Sequence, residues 1–198
     1  MEGKGNNMRI GIDIDDVITE TSIAVKEYIE KYDKDGDMMN HIEEVMRGDM
    51  PTQNIKDFFK NESSKIFKRV KLKPNASQVI EKLINSGNEI FIITSRGDPK
   101  MKGTTECTLE YFRNNNIKYT KILFNSFEKA KICKENKIDL MIDDSEKYCR
   151  EILKENIKSI LFTSEINKTI PTKIERVNNW LELEEKIDTI INKDNKKI

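Results

Sequence analysis

With 198 residues, 35% of them charged and 36% apolar, the chain has room for one moderate core and a small appended unit, but not for two full domains. Its 35 basic and 35 acidic side chains cancel, so no net field argues for nucleic acid or an anionic membrane as the partner. No stretch has the apolar length of a membrane span and residues 1–7 are polar, while Cys107, Cys133 and Cys149 are too widely spaced for a zinc site and odd in number, which fits the reduced thiols of a cytoplasmic protein.

Residues 8–20, MRIGIDIDDVITE, open as a strand. Ile10, Ile12 and Ile14 fall on one side of it, and Gly11, Asp13 and Asp15 on the other. Carboxylates at i and i+2 then enter one small volume and repel unless a cation or proton lies between them. The same residues also suit a strand that runs into an ordinary acidic turn, with Asp16 or Thr19 capping the next helix. On this stretch alone both readings stand.

Residues 21–32 carry Ile23, Val25, Tyr28, Ile29 and Tyr32 close to a helical stripe. The acidic segment that follows is not a calcium loop: with Gly36 in the sixth place, Lys31 and Ile42 fall where carboxylates are required, and an acidic turn is expected instead. Helical periodicity continues through Ile42, Val45 and Met46, then through Ile55, Phe58, Phe59, Ile66 and Phe67, with a break at 49–51 and no strand. Residues 18–73 therefore read as an inserted helical unit that leans on the main core and covers something. His41 is read as a surface side chain, and Lys65, Lys68, Arg69, Lys71 and Lys73 as a solvated face.

From Pro74 onward, helix and strand alternate. A helix over 74–86 closes at Gly87, and the strand 89–94 ends in Thr94-Ser95-Arg96. A helix over 104–116 should bury Leu109, Tyr111 and Phe112. A strand over 121–124, a helix over 126–136, the strand DLMIDDS over 139–145, a helix over 145–156 and a fifth strand over 159–162 follow, and Trp180 begins a helix that docks on the core. Strands read as continuous apolar runs and alternating with helices predict an α/β fold, a doubly wound parallel sheet covered on both faces. Ligands of such sheets bind outside the carboxyl ends of the strands, where Asp13, Asp15, Thr94, Asp143 and Asp144 emerge.

The ordered set DxDxV (Asp13, Asp15, Val17), a strand ending in Thr94, a lysine ahead of a helix, and a strand ending in Asp143-Asp144 resembles the phosphatases of the haloacid dehalogenase superfamily. The TSR and IDDS spellings are similar to its 5′(3′)-deoxyribonucleotidase branch and bacterial relatives, and the insert resembles that superfamily's helical C1 cap. Phospho-accepting receiver domains use similar residues, but in another order and without an insert. The resemblance runs from about Arg9 to Trp180 and implies a discontinuous core over 8–17 and 74–192, a cap over 18–73, and flexible termini at 1–7 and 193–198.

It also implies a Mg²⁺-dependent phosphomonoester hydrolase. Asp13 would attack phosphorus to form an aspartyl-phosphate, Asp15 would move the proton, and Thr94 and Lys129 would act on the phosphoryl oxygens. Asp13, Asp15 and Asp143 would hold the metal. Lys129, at the start of its helix, fits the family position better than Lys131 or Lys134. Asp144, Ser95, Arg96 and Asp16 are candidates for touching substrate or supporting the site: Arg96 either holds a second anionic group or is solvated, and Asp16 either caps the first helix or lines the pocket. The implied substrate is a small phosphorylated molecule, a nucleoside monophosphate first. A phosphatase of a sugar phosphate or other metabolite, and a phospho-ligand-binding protein without turnover, are the alternatives.

Overall fold

Apolar runs built for burial on both sides make a six-stranded sheet in which every pairing is parallel. Its strands are β1 (Arg9–Ile12), β2 (Glu89–Ile93), β3 (Lys121–Leu123), β4 (Leu140–Asp143), β5 (Lys158–Phe162) and β6 (Arg176–Val177), in the order β3-β2-β1-β4-β5-β6. The computed structural model describes residues 7–32, 38 and 53–195. The acidic turn expected after residue 32, His41, the face of Ile42, Val45 and Met46, the break at 49–51 and the outermost termini lie outside the described residues.

The described helices are α1 (Thr21–Tyr32), α2 (Gln53–Phe67), α3 (Ala76–Asn85), α4 (Thr104–Asn114), α5 (Lys129–Glu135), α6 (Glu146–Lys154) and α7 (Trp180–Asn195). Ile10, Ile12 and Ile14 bury themselves with Val79, Ile80 and Leu83 of α3, Phe112 of α4, and Trp180, Leu183 and Ile187 of α7. On the opposite face Phe91, Ile93 and Met141 pack with Cys133 of α5 and Ile152 of α6. Gly11 sits on that second face, where an added Cβ would come within 2.6 Å of Met141 Sδ; any larger residue would displace the methionine. The strand's alternation thus sends its two sides into two different cores.

A third cluster joins Val25 and Ile29 of α1 to Ile55, Phe58, Ile66 and Phe67 of α2 and to Cys107 of α4. The helices of the 18–73 segment are in this way docked on the helix that follows β2. Because α4 faces both that cluster and the sheet, its buried positions are Thr104, Cys107, Thr108, Tyr111 and Phe112, while Leu109 is only half-buried. Steps of three and four residues define that stripe, and Leu109 stands off it. The sixth strand was not legible, since two residues cannot display a period.

Sheet order reverses beside β1: the chain moves outward through β2 and β3, then returns to place β4 on the other side of β1. Trp180, at the start of α7, ties the back of this region together. Its Nε1 donates to the carbonyl of Val17 at 2.9 Å, and its ring meets Phe162 at 5.9 Å between centroids. Trp180→Ala should cost about 3–5 kcal/mol, the range for emptying a large aromatic site. Urea unfolding measures it, and a loss below about 1 kcal/mol would show that α7 is not part of the cooperative core.

Candidate active site

Immediately after β1, the Asp13 N–H donates to the carbonyl of Ile142 at 3.0 Å, which carries the pairing with β4 one residue further. The chain then closes on itself, as the N–H groups of Val17, Ile18 and Thr19 converge on the carbonyl of Ile14 at 3.3, 2.9 and 3.1 Å. Asp16 adopts a φ of 58° in this turn, a left-handed conformation that Asp and Asn tolerate better than most residues. Its Oδ1 accepts from the N–H and the hydroxyl of Ser22, both at 2.9 Å. Ser22 lies in the first turn of α1, so Asp16 satisfies one of that helix's free donors and places negative charge at its positive end.

Lys129, the first residue of α5, is only 2% exposed, and its ammonium bridges two carboxylates. Nζ lies 2.9 Å from Asp13 Oδ1 and 2.6 Å from Asp143 Oδ2, with the Tyr148 ring 4.8 Å away. The loop before α5 is tied to the end of β2, because Ser126 N donates to Thr94 O at 2.9 Å and Asn125 N to Arg96 O at 2.7 Å. That tie delivers the lysine to the sheet edge. Lys131 and Lys134 point elsewhere, toward Glu128 and Glu155, and are exposed. Asp143 is further held by the Ser145 N–H on its Oδ1 at 2.9 Å.

Asp144 completes an oxygen cluster: Asp13, Asp143 and Asp144 each offer a carboxylate oxygen within 4.8 Å of the others. Three carboxylates face one ammonium there, and the deficit of positive charge shows in the acidities. Burial pushes the Asp13 carboxyl up, Lys129 pulls it part of the way back, and the charges of Asp143 and Asp15 raise it again, to about 7. Burial also lifts Asp144 well above the usual carboxylate range, helped by Asp16, Asp143 and Asp13. For Lys129, burial alone would favour the neutral amine, but the two carboxylates outweigh it and hold the pKa above its ordinary value. A hard divalent cation bound by oxygen ligands suits this donor set and its charge.

Of the expected metal-binding carboxylates, Asp13 and Asp143 lie in that cluster, and the side chain of Asp15 does not. It is held by Arg96, whose Nη2 donates to Oδ1 at 2.6 Å and whose Nε lies 3.2 and 3.1 Å from Oδ1 and Oδ2. The hydroxyl of Thr21 donates to the same Oδ1 at 2.7 Å. Burial works to raise the pKa of Asp15, yet the charge and hydrogen bonds of Arg96, with the Thr21 hydroxyl, bring it below its ordinary value. Arg96 is 1% exposed, so it is not a solvated loop arginine. Thr94 is fully buried. Its N–H donates to Leu123 O at 3.1 Å within the sheet, and only its hydroxyl is left for a ligand. That hydroxyl accepts from Arg96 N at 3.2 Å, which leaves its proton to donate.

A family model described as "5' nucleotidase, deoxy (Pyrimidine), cytosolic type C protein" matches residues 6–194. The chain belongs to this nucleotidase family. It is a phosphatase by that family, and its fold is that of haloacid dehalogenase-like hydrolases. Among solved structures, it is similar to a haloacid dehalogenase-like hydrolase from Streptococcus pneumoniae, at 14% identity and a TM-score of 0.62, over 91% of this chain and 98% of that one. A predicted phosphatase from Clostridium acetobutylicum aligns at 17% identity and 0.63, over 92% and 99%. CbbY from Rhodobacter sphaeroides, a variant solved with a xylulose bisphosphate, aligns at 13% and 0.63, over 89% and 96%. At such identities the likeness shows the fold. No curated protein sequence matches the chain. Among the described residues, no helix is long and apolar enough to cross a membrane.

In this phosphatase a cleft of 930 Å³ opens between the 18–73 segment and the ends of the strands. Asp15, Thr21 and Ser95 lie along its inner wall, and Phe59, Phe67, Met101 and Phe127 supply apolar surface. Lys56, Lys60, Lys100 and Lys102 also line it, against Asp57 and Asp98. Sequence reading missed this wall because Phe59 and Lys56 look like any amphipathic helix and the 98–102 loop carries no motif.

The raised carboxyls make stability depend on pH with a definite sign. Folded Asp13 keeps its proton up to about pH 7, whereas its ordinary value is 3.8, so across that window the folded state binds more protons and stability falls as pH rises. Asp144 and Asp16 shift in the same direction, and the lowered Asp15 acts only at more acid pH. Metal-free protein should therefore melt lower at about pH 8 than at about pH 5. Mg²⁺ should raise the melting temperature more at the higher pH. A metal-free melting temperature that climbs over this range would contradict the charge deficit.

Proposed function

We propose that the protein is a Mg²⁺-dependent phosphomonoester hydrolase that works through an aspartyl-phosphate on Asp13 and acts on (deoxy)nucleoside monophosphates. The observation that carries this reading is the buried Lys129 ammonium held between Asp13 and Asp143 in a chain of the nucleotidase family. Residues 18–73 act as the cap, with α1 and α2 forming the outer wall of the cleft. The family description and three free, buried cysteines support a cytoplasmic setting.

Lys129 occupies Oδ1 of Asp13, so the other carboxylate oxygen attacks phosphorus in line and forms the O–P bond of the acyl phosphate. The bond to the leaving oxygen breaks, and Asp15 delivers a proton to it. Asp15 then takes a proton from a water that attacks the same phosphorus, which releases inorganic phosphate and restores the Asp13 carboxylate. The Lys129 ammonium and the Thr94 hydroxyl stabilise charge on the phosphoryl oxygens. Mg²⁺ held by Asp13, Asp143 and Asp144 would offset the repulsion between these acids and an incoming phosphate.

A second reading, a phosphatase of a metabolite with an additional anionic group, is favoured by the four lysines that line the cleft. Asp13→Asn should abolish hydrolysis of an aryl phosphate with Mg²⁺ while circular dichroism shows a folded protein; full activity in that variant would sink the covalent mechanism. A panel of deoxyribonucleotides, ribonucleotides and sugar phosphates ranks the substrates. Nucleotides should lead it by at least about tenfold in kcat/KM, equivalent to about 1.4 kcal/mol, and a sugar bisphosphate in first place would establish the second reading.

A further inference from the structure

Arg96 is among the largest fully buried side chains of the protein, and it sits where a loop arginine would be expected to reach for substrate. Four of its five N–H donors are already used. Nε and Nη2 hold Asp15, Nη2 also reaches the Thr21 hydroxyl at 3.4 Å, and Nη1 donates to Thr108 Oγ1 at 3.2 Å. The Thr108 hydroxyl gives its own proton to Thr104 O at 2.7 Å, so a lone pair remains for the guanidinium. One face of the guanidinium lies 3.7 Å from the centroid of the Phe67 ring, a cation–π contact shielded from water. Residues of α1, α2 and α4 thus immobilise Arg96 against Asp15.

The clamp treats the two oxygens of Asp15 differently. Oδ1 receives three donors, from Thr21 at 2.7 Å and from Arg96 Nη2 and Nε at 2.6 and 3.2 Å. Oδ2 receives only the shared Nε contact at 3.1 Å. An oxygen that already accepts three hydrogen bonds cannot take a proton without losing one of them, whereas Oδ2 keeps lone pairs free. The Asp15 side chain is 28% exposed and lines the cleft.

We infer that Arg96 is a positioning residue, not a substrate ligand: with Thr21 it anchors Oδ1 of Asp15 so that Oδ2 is the oxygen that exchanges the proton with the leaving group and the water. This rests on the phosphatase reading above. Phe67 makes the anchor depend on the insert, because the ring that covers the guanidinium belongs to α2.

The test exploits leaving groups. An alkoxide needs a proton as it departs and 4-nitrophenolate does not. First-turnover release is measured with Mg²⁺ for 4-nitrophenyl phosphate and for the alkyl phosphate that the wild type turns over fastest. Arg96→Met should slow release of the alcohol by about 100-fold, the scale of general acid catalysis, and that of 4-nitrophenolate by less than about 3-fold. Thr21→Val, which removes only the neutral donor, should show the same selectivity at about 10-fold. Equal slowing of both substrates, or a raised KM with kcat unchanged, overturns the inference. In metal-free protein, urea unfolding of Arg96→Met, Asp15→Asn and the double variant supplies a readout apart from turnover. The double variant should be no less stable than the worse single one, and additive losses would overturn the clamp. A wild type inert toward both phosphates removes the phosphatase reading and this inference with it, whereas uniform loss from an active wild type removes this inference alone.

Discussion

The ammonium of Lys129, buried between Asp13 and Asp143, is the contact on which the rest of the site depends. Parallel register places Ile12 of β1 opposite Ile142 of β4, so the residues that follow them, Asp13 and Asp143, emerge side by side. Two carboxylates so placed repel strongly in a medium of low polarity. A buried cation between them turns that repulsion into attraction, and removal of one member of such a group costs about 3–5 kcal/mol because an uncompensated charge stays behind. Asp144 adds a third carboxylate that the lysine cannot neutralise, a charge and donor set that suits a divalent cation.

Arg96 divides the acids into two groups. Strand alternation would bring Asp13 and Asp15 into one volume, but the turn that gathers three N–H groups on Ile14 O and the buried guanidinium draw the second carboxylate aside. Each acid thereby acquires its own cation: Asp13 the point charge of lysine, shared with Asp143, and Asp15 the planar fork of arginine, which fixes orientation. Asp16, next in the chain, faces α1 and spends its charge on a helix N-terminus. The three acids at positions 13, 15 and 16 therefore have three different partners.

The docking of α1 and α2 on α4 places an aromatic and cationic wall across from these groups. Phe67 contributes to the helical cluster and also covers the Arg96 guanidinium, so the packing of the insert and the geometry of Asp15 share a side chain. The cleft is bounded on one side by the sheet edge and on the other by the insert.

How much of this was legible follows from which contacts are local. The continuous apolar runs of β1, β2, β4 and β5, the stripes of α1 and α3, and the acids at strand ends follow from steric periodicity within a few residues, and the sequence alone determined them, along with the parallel, doubly wound sheet and the order of motifs. Lys129 was favoured through the family resemblance, and the folded chain puts its ammonium against Asp13 and Asp143. The partner of Asp15, the membership of Asp144 in the oxygen cluster, the use of the Thr94 N–H by the sheet and the off-stripe position of Leu109 were decided only by the tertiary structure. The first three depend on a charge or hydrogen-bonding group brought from another part of the chain, 81 residues away for Arg96 and Asp15, and no periodicity records a distance of that kind, while the buried face of α4 is chosen by the clusters it packs against.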